Sequence, residues 1–116
     1  MSNEISSYKD LLIWQKGITL VKLVYRNLDN FPKDEIFALS SQIKRSAVSV
    51  PSNIAEGWGR SSKQSYLQFL KIARGSLYEL DTQIVIAKEL NFILENQYQE
   101  ITNLITEESK MLNAKC

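Results

Sequence analysis

The sequence predicts an all-α protein, an antiparallel up-down-up-down four-helix bundle. Apolar residues recur every three or four positions through most of the chain, which is the helical period. Only two prolines and four glycines interrupt its 116 residues. The predicted helices are joined by about three to six residues, too few to run back along a helix, so successive helices must be antiparallel. With 44% hydrophobic residues, residues 1–116 can form one domain with its own core.

The first two predicted helices cover about residues 10–30 and 34–57. The first ends before Pro32, because the residue preceding a proline is disfavoured in the helical region. The second carries a core stripe that begins at Ile36 and contains Pro51, which predicts a bend. Gly57 or Gly59 is expected to end this helix in the left-handed conformation.

The last two predicted helices cover about residues 62–90 and 95–114. Ser61 and Gln64 have the spacing of a capping box at the start of the third helix. Gly75 lies in its middle, where glycine costs about 1 kcal/mol relative to alanine, and we expect a close helix crossing there. The fourth helix has the weakest apolar stripe and therefore the least secure packing.

The composition argues against an enzyme. The chain has no histidine, which removes the commonest general base and metal ligand. Glu56 and Glu79 could be paired carboxylates, but a di-iron bundle also uses histidine ligands. We therefore expect no catalytic residues, no cofactor and no metal. Cys116 is the single cysteine and cannot close an intrachain disulfide, which favours a cytoplasmic location. No apolar run approaches the roughly 18 residues that span a membrane.

A second stripe on the second helix is polar and is displaced by one residue from the core stripe. A face that merely contacts solvent usually favours Lys and Glu, whereas this stripe is rich in Ser, Asn and Gln. A solvated face and a polar network between helices or subunits both remain open. Glu79 and Gln83 of the third helix could join such a network, with Glu79 pairing with Arg45. The predicted network or oligomer interface comprises Gln42, Ser46, Ser49, Asn53, Glu56 and Glu79.

Basic residues are concentrated in the middle third of the chain, where residues 44–74 contain only one acidic residue, Glu56. Grouped cations can neutralise successive phosphates, and Trp58 and Tyr66 could stack on unpaired bases. The alternative is an ordinary solvated surface with both aromatic residues in the core. The candidate nucleic-acid contacts are Lys44, Arg45, Arg60, Lys63, Lys71 and Arg74.

Four segments resemble a known bacterial family. They are LIWQK at residues 12–16, FPKDE at 31–35, QIKRSAVSVPSNIAEG at 42–57 and FLKIARGSLYEL at 69–80. The chain resembles, over about residues 8–114, the four-helix bundle proteins encoded in intervening sequences of large-subunit ribosomal RNA genes. This family is related to the accessory variability protein of diversity-generating retroelements.

The resemblance implies a homo-oligomer, a pentameric ring in relatives, and in the retroelement branch a basic surface that binds nucleic acid and a reverse transcriptase. Those accessory proteins are strongly basic, whereas this chain has a net charge of only +1. We therefore expect a non-enzymatic oligomer that binds RNA or DNA weakly through the six basic residues. The alternative is a protein-interaction scaffold or accessory subunit that does not contact nucleic acid itself.

Overall fold

Four α-helices form most of the protein in the computed structural model, which describes residues 5–29 and 31–116. They are α1 (Leu12–Asn27), α2 (Leu39–Gly59), α3 (Lys63–Glu89) and α4 (Glu95–Lys115). Short 3-10 turns at Tyr8–Asp10 and Lys33–Glu35 precede α1 and α2. The described residues contain no strand, and the predicted all-helical fold is confirmed.

Each helix packs against the helices beside it in sequence, and α4 also closes against α1. The pair formed by α2 and α3 shares the most extensive interface, and in the described residues no Cα atoms of the diagonal helix pairs lie within 8 Å of each other. The result is an antiparallel bundle that measures 47 × 26 × 20 Å. We call the end with the α2–α3 turn the base, and the opposite end the top. Antiparallel order places the start of α1 and the end of α4 at the base as well.

The core follows the helical period that the sequence predicts. The face of α2 toward the interior and the matching face of α3 are fully buried, so the centre of the bundle is aliphatic. These two faces consist of Ile43, Ala47, Val50 and Ile54 on α2 and Leu70, Ala73, Leu77 and Leu80 on α3. Within the described chain, no helix is both long and apolar enough to cross a membrane.

The second helix begins at Leu39, later than the sequence predicts. The Glu35 carboxylate accepts a hydrogen bond from the Leu39 backbone N–H at 3.4 Å, within the turn that precedes the helix. Ile36 is half exposed and Phe37 is 95% exposed. Neither side chain therefore joins the core stripe, and the predicted start of that stripe at Ile36 is wrong.

The predicted glycine cap of α2 is also wrong. The helix continues through Gly57 to Gly59, and no described glycine has a positive φ. Ser61, with φ 62°, makes the left-handed turn instead. The N-cap of α3 is Ser62, whose hydroxyl accepts a hydrogen bond from the Ser65 N–H at 3.1 Å. The cap therefore lies one residue after the predicted Ser61.

Close helix contact occurs at Gly57 and not at Gly75, where the sequence led us to expect it. A Cβ added to Gly75 would meet no atom within 4 Å. A Cβ added to Gly57 would lie only 2.6 Å from the Cβ of Phe69 on α3. The absence of a side chain at Gly57 is thus what lets the base ends of α2 and α3 approach each other.

Candidate functional site

A cleft of about 500 Å³ opens on the outer side of α2 and α3. Its position follows from the register of the two antiparallel helices, which sets the polar stripe of α2 against a polar face of α3. We call it the polar cleft. It is lined by Gln42, Arg45, Ser46, Ser49, Glu79 and Gln83.

Hydrogen bonds between α2 and α3 form the floor of the polar cleft. The buried Ser46 hydroxyl donates to Oε1 of the buried Gln83 at 2.8 Å. Toward the base, the hydroxyls of Ser49 and Ser76 are 2.8 Å apart. Asn53 Nδ2 donates to the backbone carbonyl of Ser49 at 2.8 Å and to its hydroxyl at 2.9 Å. Ser46 and Ser49 thus each join α2 to α3 by a hydrogen bond, and Asn53 supports Ser49 from within α2.

Ser76 was missed by the sequence analysis, although its position carries a usable signal. It precedes Glu79 by three residues and Gln83 by seven, so all three share one face of α3. Glu56 lies further toward the base and points away from the polar cleft. It forms an exposed ion pair with Arg60 of its own helix, one turn away, at 2.7 Å.

Arg45 and Glu79 line the same cleft, but the predicted ion pair between them is not formed. Within the part of the chain that the structure describes, neither side chain has an ion-pair partner within 4.0 Å. The polar cleft thus combines a hydrogen-bonded floor with a cation and an anion that have no ion-pair partner among the described residues. Such an arrangement can receive charged groups of both signs from another molecule.

The six predicted basic contacts do not form a single cluster. Arg45 and Arg60 are separated by about 22 Å along α2, at about 1.5 Å per residue. Lys44 faces α1 and not α3, with its Nζ 5.2 Å from the centre of the Tyr25 ring on α1. Arg74 reaches α4, where its guanidinium donates to Asn113 Oδ1 at 3.1 Å. Only four of the six lie in the half of the bundle nearer the base, namely Arg60, Lys63, Lys71 and Arg74.

The structure instead reveals a separation of charge between the two ends of the bundle. If each helix is divided at its midpoint, the base half consists of residues 5–19, 50–76 and 106–116. It contains eight basic and four acidic residues, whereas the described residues of the top half contain six basic and eight acidic ones. Burial raises the pKa of Glu108, one of the four acids of the base half, to about 8. That carboxyl is therefore neutral at pH 7, and the base is the positive end.

The aromatic residues near the base are not free to stack on bases. Trp58 and Tyr66 are partly buried and pack against the core. The Tyr66 hydroxyl is buried, and desolvation raises its pKa. The guanidinium of Arg60 lies 5.0 Å from the centre of the Phe69 ring, so this cation packs against an aromatic side chain of its own protein. Among residues 5–29 and 31–116, no cluster of three His, Cys, Asp or Glu side chains could hold a metal ion.

The family model described as 23S rRNA-intervening sequence protein matches residues 9–114. The chain belongs to this family. The chain is also similar to a solved structure from Bacteroides thetaiotaomicron, described as a protein of unknown function from the S23 ribosomal protein family. The two are 26% identical, with a TM-score of 0.80, and the match covers 89% of this chain and 96% of that one. No curated protein matches the chain.

Proposed function

We propose that this intervening-sequence protein is a non-enzymatic, cytoplasmic homo-oligomer that binds RNA or DNA weakly through its base. The observation that supports this proposal is the separation of charge between base and top. Cations grouped at one end can neutralise neighbouring phosphates and release their counterions, while an acidic opposite end steers a polyanion away. The proposed contacts are Arg60, Lys63, Lys71 and Arg74, and Lys44 and Arg45 lie outside them.

We expect binding to be weak because two of these four cations already have a partner within the protein. Arg60 is paired with Glu56, and Arg74 is hydrogen-bonded to Asn113. Lys63 and Lys71 are exposed and, in the described part of the chain, make no ion pair. Each phosphate neutralised on a single strand contributes about −0.7 to the slope of log K against log salt. A slope between about −1 and −3 is therefore expected for one subunit.

Reversing the charge of Arg60 and Lys63 tests this proposal. We expect Arg60→Glu with Lys63→Glu to weaken binding of a fluorescent single strand at least about tenfold at low salt, because both changes remove cations from the base. Fluorescence anisotropy at two salt concentrations measures the effect. The matched control is Lys22→Glu with Lys33→Glu, which alters net charge equally at exposed positions of the top half. Absence of binding at low salt, or equal losses in both variants, would contradict the proposal.

A protein-interaction scaffold is the second candidate. Arg45 and Glu79 of the polar cleft favour it, because neither has an ion-pair partner in the described part of the chain. If a second copy docks cleft to cleft, its Glu79 can pair with Arg45 of the first and its Arg45 with Glu79 of the first, which is a two-fold contact, and a ring needs a further head-to-tail contact elsewhere on the surface. The family resemblance implies a ring of five copies. The same surface could instead receive another protein, a reverse transcriptase in the retroelement branch.

A charge exchange tests assembly through the polar cleft. We expect Arg45→Glu alone and Glu79→Arg alone to lower the measured mass in light scattering, because each places like charges across the contact. The double variant Arg45→Glu with Glu79→Arg should recover the original mass, since the pair is restored with its signs reversed. A monomeric parent protein would remove this candidate. Loss of the oligomer in the double variant as well would show that the two side chains do not face each other.

A further inference from the structure

Glu108 of α4 is an ionisable side chain inside the bundle that is not a proposed contact residue in either function. It is fully buried, and both carboxyl oxygens lack a hydrogen-bond partner in the described structure. A Cβ added to Gly17 of α1 would lie 3.2 Å from Glu108 Oε2 and 3.3 Å from the Cβ of Pro51 on α2. The carboxyl group is therefore enclosed between α1, α2 and α4, where no donor of residues 5–29 and 31–116 reaches it. A buried polar group without a partner is costly, and a buried charge is far more so.

The charged groups around Glu108 do not neutralise it. Lys16 of α1 is the cation whose field reaches the carboxyl, but its Nζ lies 2.6 Å from Oε1 of the neighbouring Glu107. The Asp10 carboxylate of the first 3-10 turn accepts hydrogen bonds from Ser6 and Ser7. The interior faces of α2 and α3 are aliphatic. On α3, Arg74 and Tyr78 bind Asn113 and Ser109 of α4 on the exposed side. Lys88 of α3 pairs with Glu95 at the other end of α4.

The contact between α1 and α4 is also the least extensive of the four helix interfaces. A groove of about 400 Å³ runs along it, bordered by residues on both sides of Glu108 on α4, Leu104 and Met111. The buried residues of α4 are only Ile101, Ile105, Glu108 and Leu112. One of the few buried residues that hold α4 in the bundle is therefore a carboxylic acid.

We propose that protonation of Glu108 controls the interface between α1 and α4, which we call the joint. The joint is closed while Glu108 is protonated and opens locally when Glu108 loses its proton. Burial raises the pKa of Glu108 from 4.5 to about 8, against the opposing field of Lys16. At neutral pH the carboxyl group is uncharged and the joint is closed. Once ionised, the carboxylate must reach water or a cation, and the groove beside it supplies the path. Lys16, the cation whose field reaches the carboxyl, would leave Glu107 for the ionised Glu108.

Opening of this joint requires neither nucleic acid nor assembly at the polar cleft, and ionised Glu108 lowers the net charge of the base by one unit. Its consequence is local, because α2 and α3 are held together by their own extensive interface and by the hydrogen bonds of the cleft. Local opening of one element while the rest stays folded is a recognised behaviour of proteins, and amide hydrogen exchange detects it.

Hydrogen exchange of α4 peptides between pH 6 and 9 tests the joint, with Glu108→Gln as the neutral variant of the same shape. After correction for the intrinsic pH dependence of exchange, the opening constant of α4 should rise about tenfold per pH unit up to about pH 8 in the parent protein. It should be independent of pH in Glu108→Gln, and in Glu107→Gln the rise should persist. Equal pH dependence in the parent and Glu108→Gln, or the same rise in α2 and α3, would overturn the proposal.

A direct titration keeps the proposal testable even if Glu108→Gln does not fold. The carboxyl carbon of Glu108 should titrate in a ¹³C NMR experiment on the parent protein with a midpoint near 8. Lys16→Met should move that midpoint upward, because the positive charge of Lys16 lowers the pKa of Glu108. A midpoint near the ordinary 4.5, or no change in Lys16→Met, would overturn it.

Discussion

Replacing Glu108 with methionine is expected to raise the free energy of unfolding by about 3 kcal/mol at pH 7. The carboxyl group is fully buried and unpartnered, and methionine is an unbranched, adaptable side chain that can follow the same path past Gly17. The stability rises because the folded parent protein must keep Glu108 protonated at a pH at which the unfolded chain releases that proton, and methionine removes this cost. Urea denaturation monitored by circular dichroism measures it.

The pH dependence of this gain is the more specific part of the prediction. Burial raises the pKa of Glu108 in the folded state to about 8, above its ordinary 4.5. Between these two values the folded state binds the proton more tightly than the unfolded state, so stability falls by about 1.4 kcal/mol for each unit of rising pH. Below pH 4.5 both states are protonated and this destabilisation disappears; above about pH 8 it is complete and constant. The advantage of Glu108→Met should therefore be much smaller at pH 4, and an equal gain at both pH values would contradict the assignment.

Gly57→Ala is expected to lower the free energy of unfolding by about 1 kcal/mol, the overpacking cost less the gain in helix propensity. The added methyl would lie 2.6 Å from the Cβ of Phe69 and 3.3 Å from the backbone oxygen of Tyr66, and neither belongs to the flexible end of a side chain. Overpacking of this kind costs about 1–3 kcal/mol, which outweighs the roughly 1 kcal/mol that alanine gains over glycine in a helix. Thermal and urea denaturation check the result.

Gly75→Ala is the matched control for Gly57→Ala. The same substitution at Gly75 meets nothing within 4 Å, so only the helix propensity acts and stability should rise by about 0.5–1 kcal/mol. Opposite signs at the two glycines would support the close approach of α2 and α3 at Gly57. A stabilising Gly57→Ala would show that the two helices are further apart at the base than the structure places them.

The polar face of α2 shows which part of the candidate site could be predicted from the sequence. Spacing alone identified Gln42, Ser46, Ser49 and Asn53 as one face of α2, because helical geometry relates residues three and four apart whatever surrounds them. It did not identify the Ser49–Ser76 contact or the Glu56–Arg60 pair. These depend on the register between two helices and on which of several competing partners lies nearest.

The four-helix bundle itself was determined by the sequence, because apolar periodicity and short connections suffice to specify antiparallel helices. The tertiary structure decided what depends on relative position across the bundle. It separated Arg45 from Arg60, gathered basic residues from three chain segments at the base, and moved the close helix contact from Gly75 to Gly57. It also enclosed Glu108, which the sequence had left as one more charge on a weakly apolar helix. Distances between helices are set by packing, and periodicity within a single helix carries no information about them.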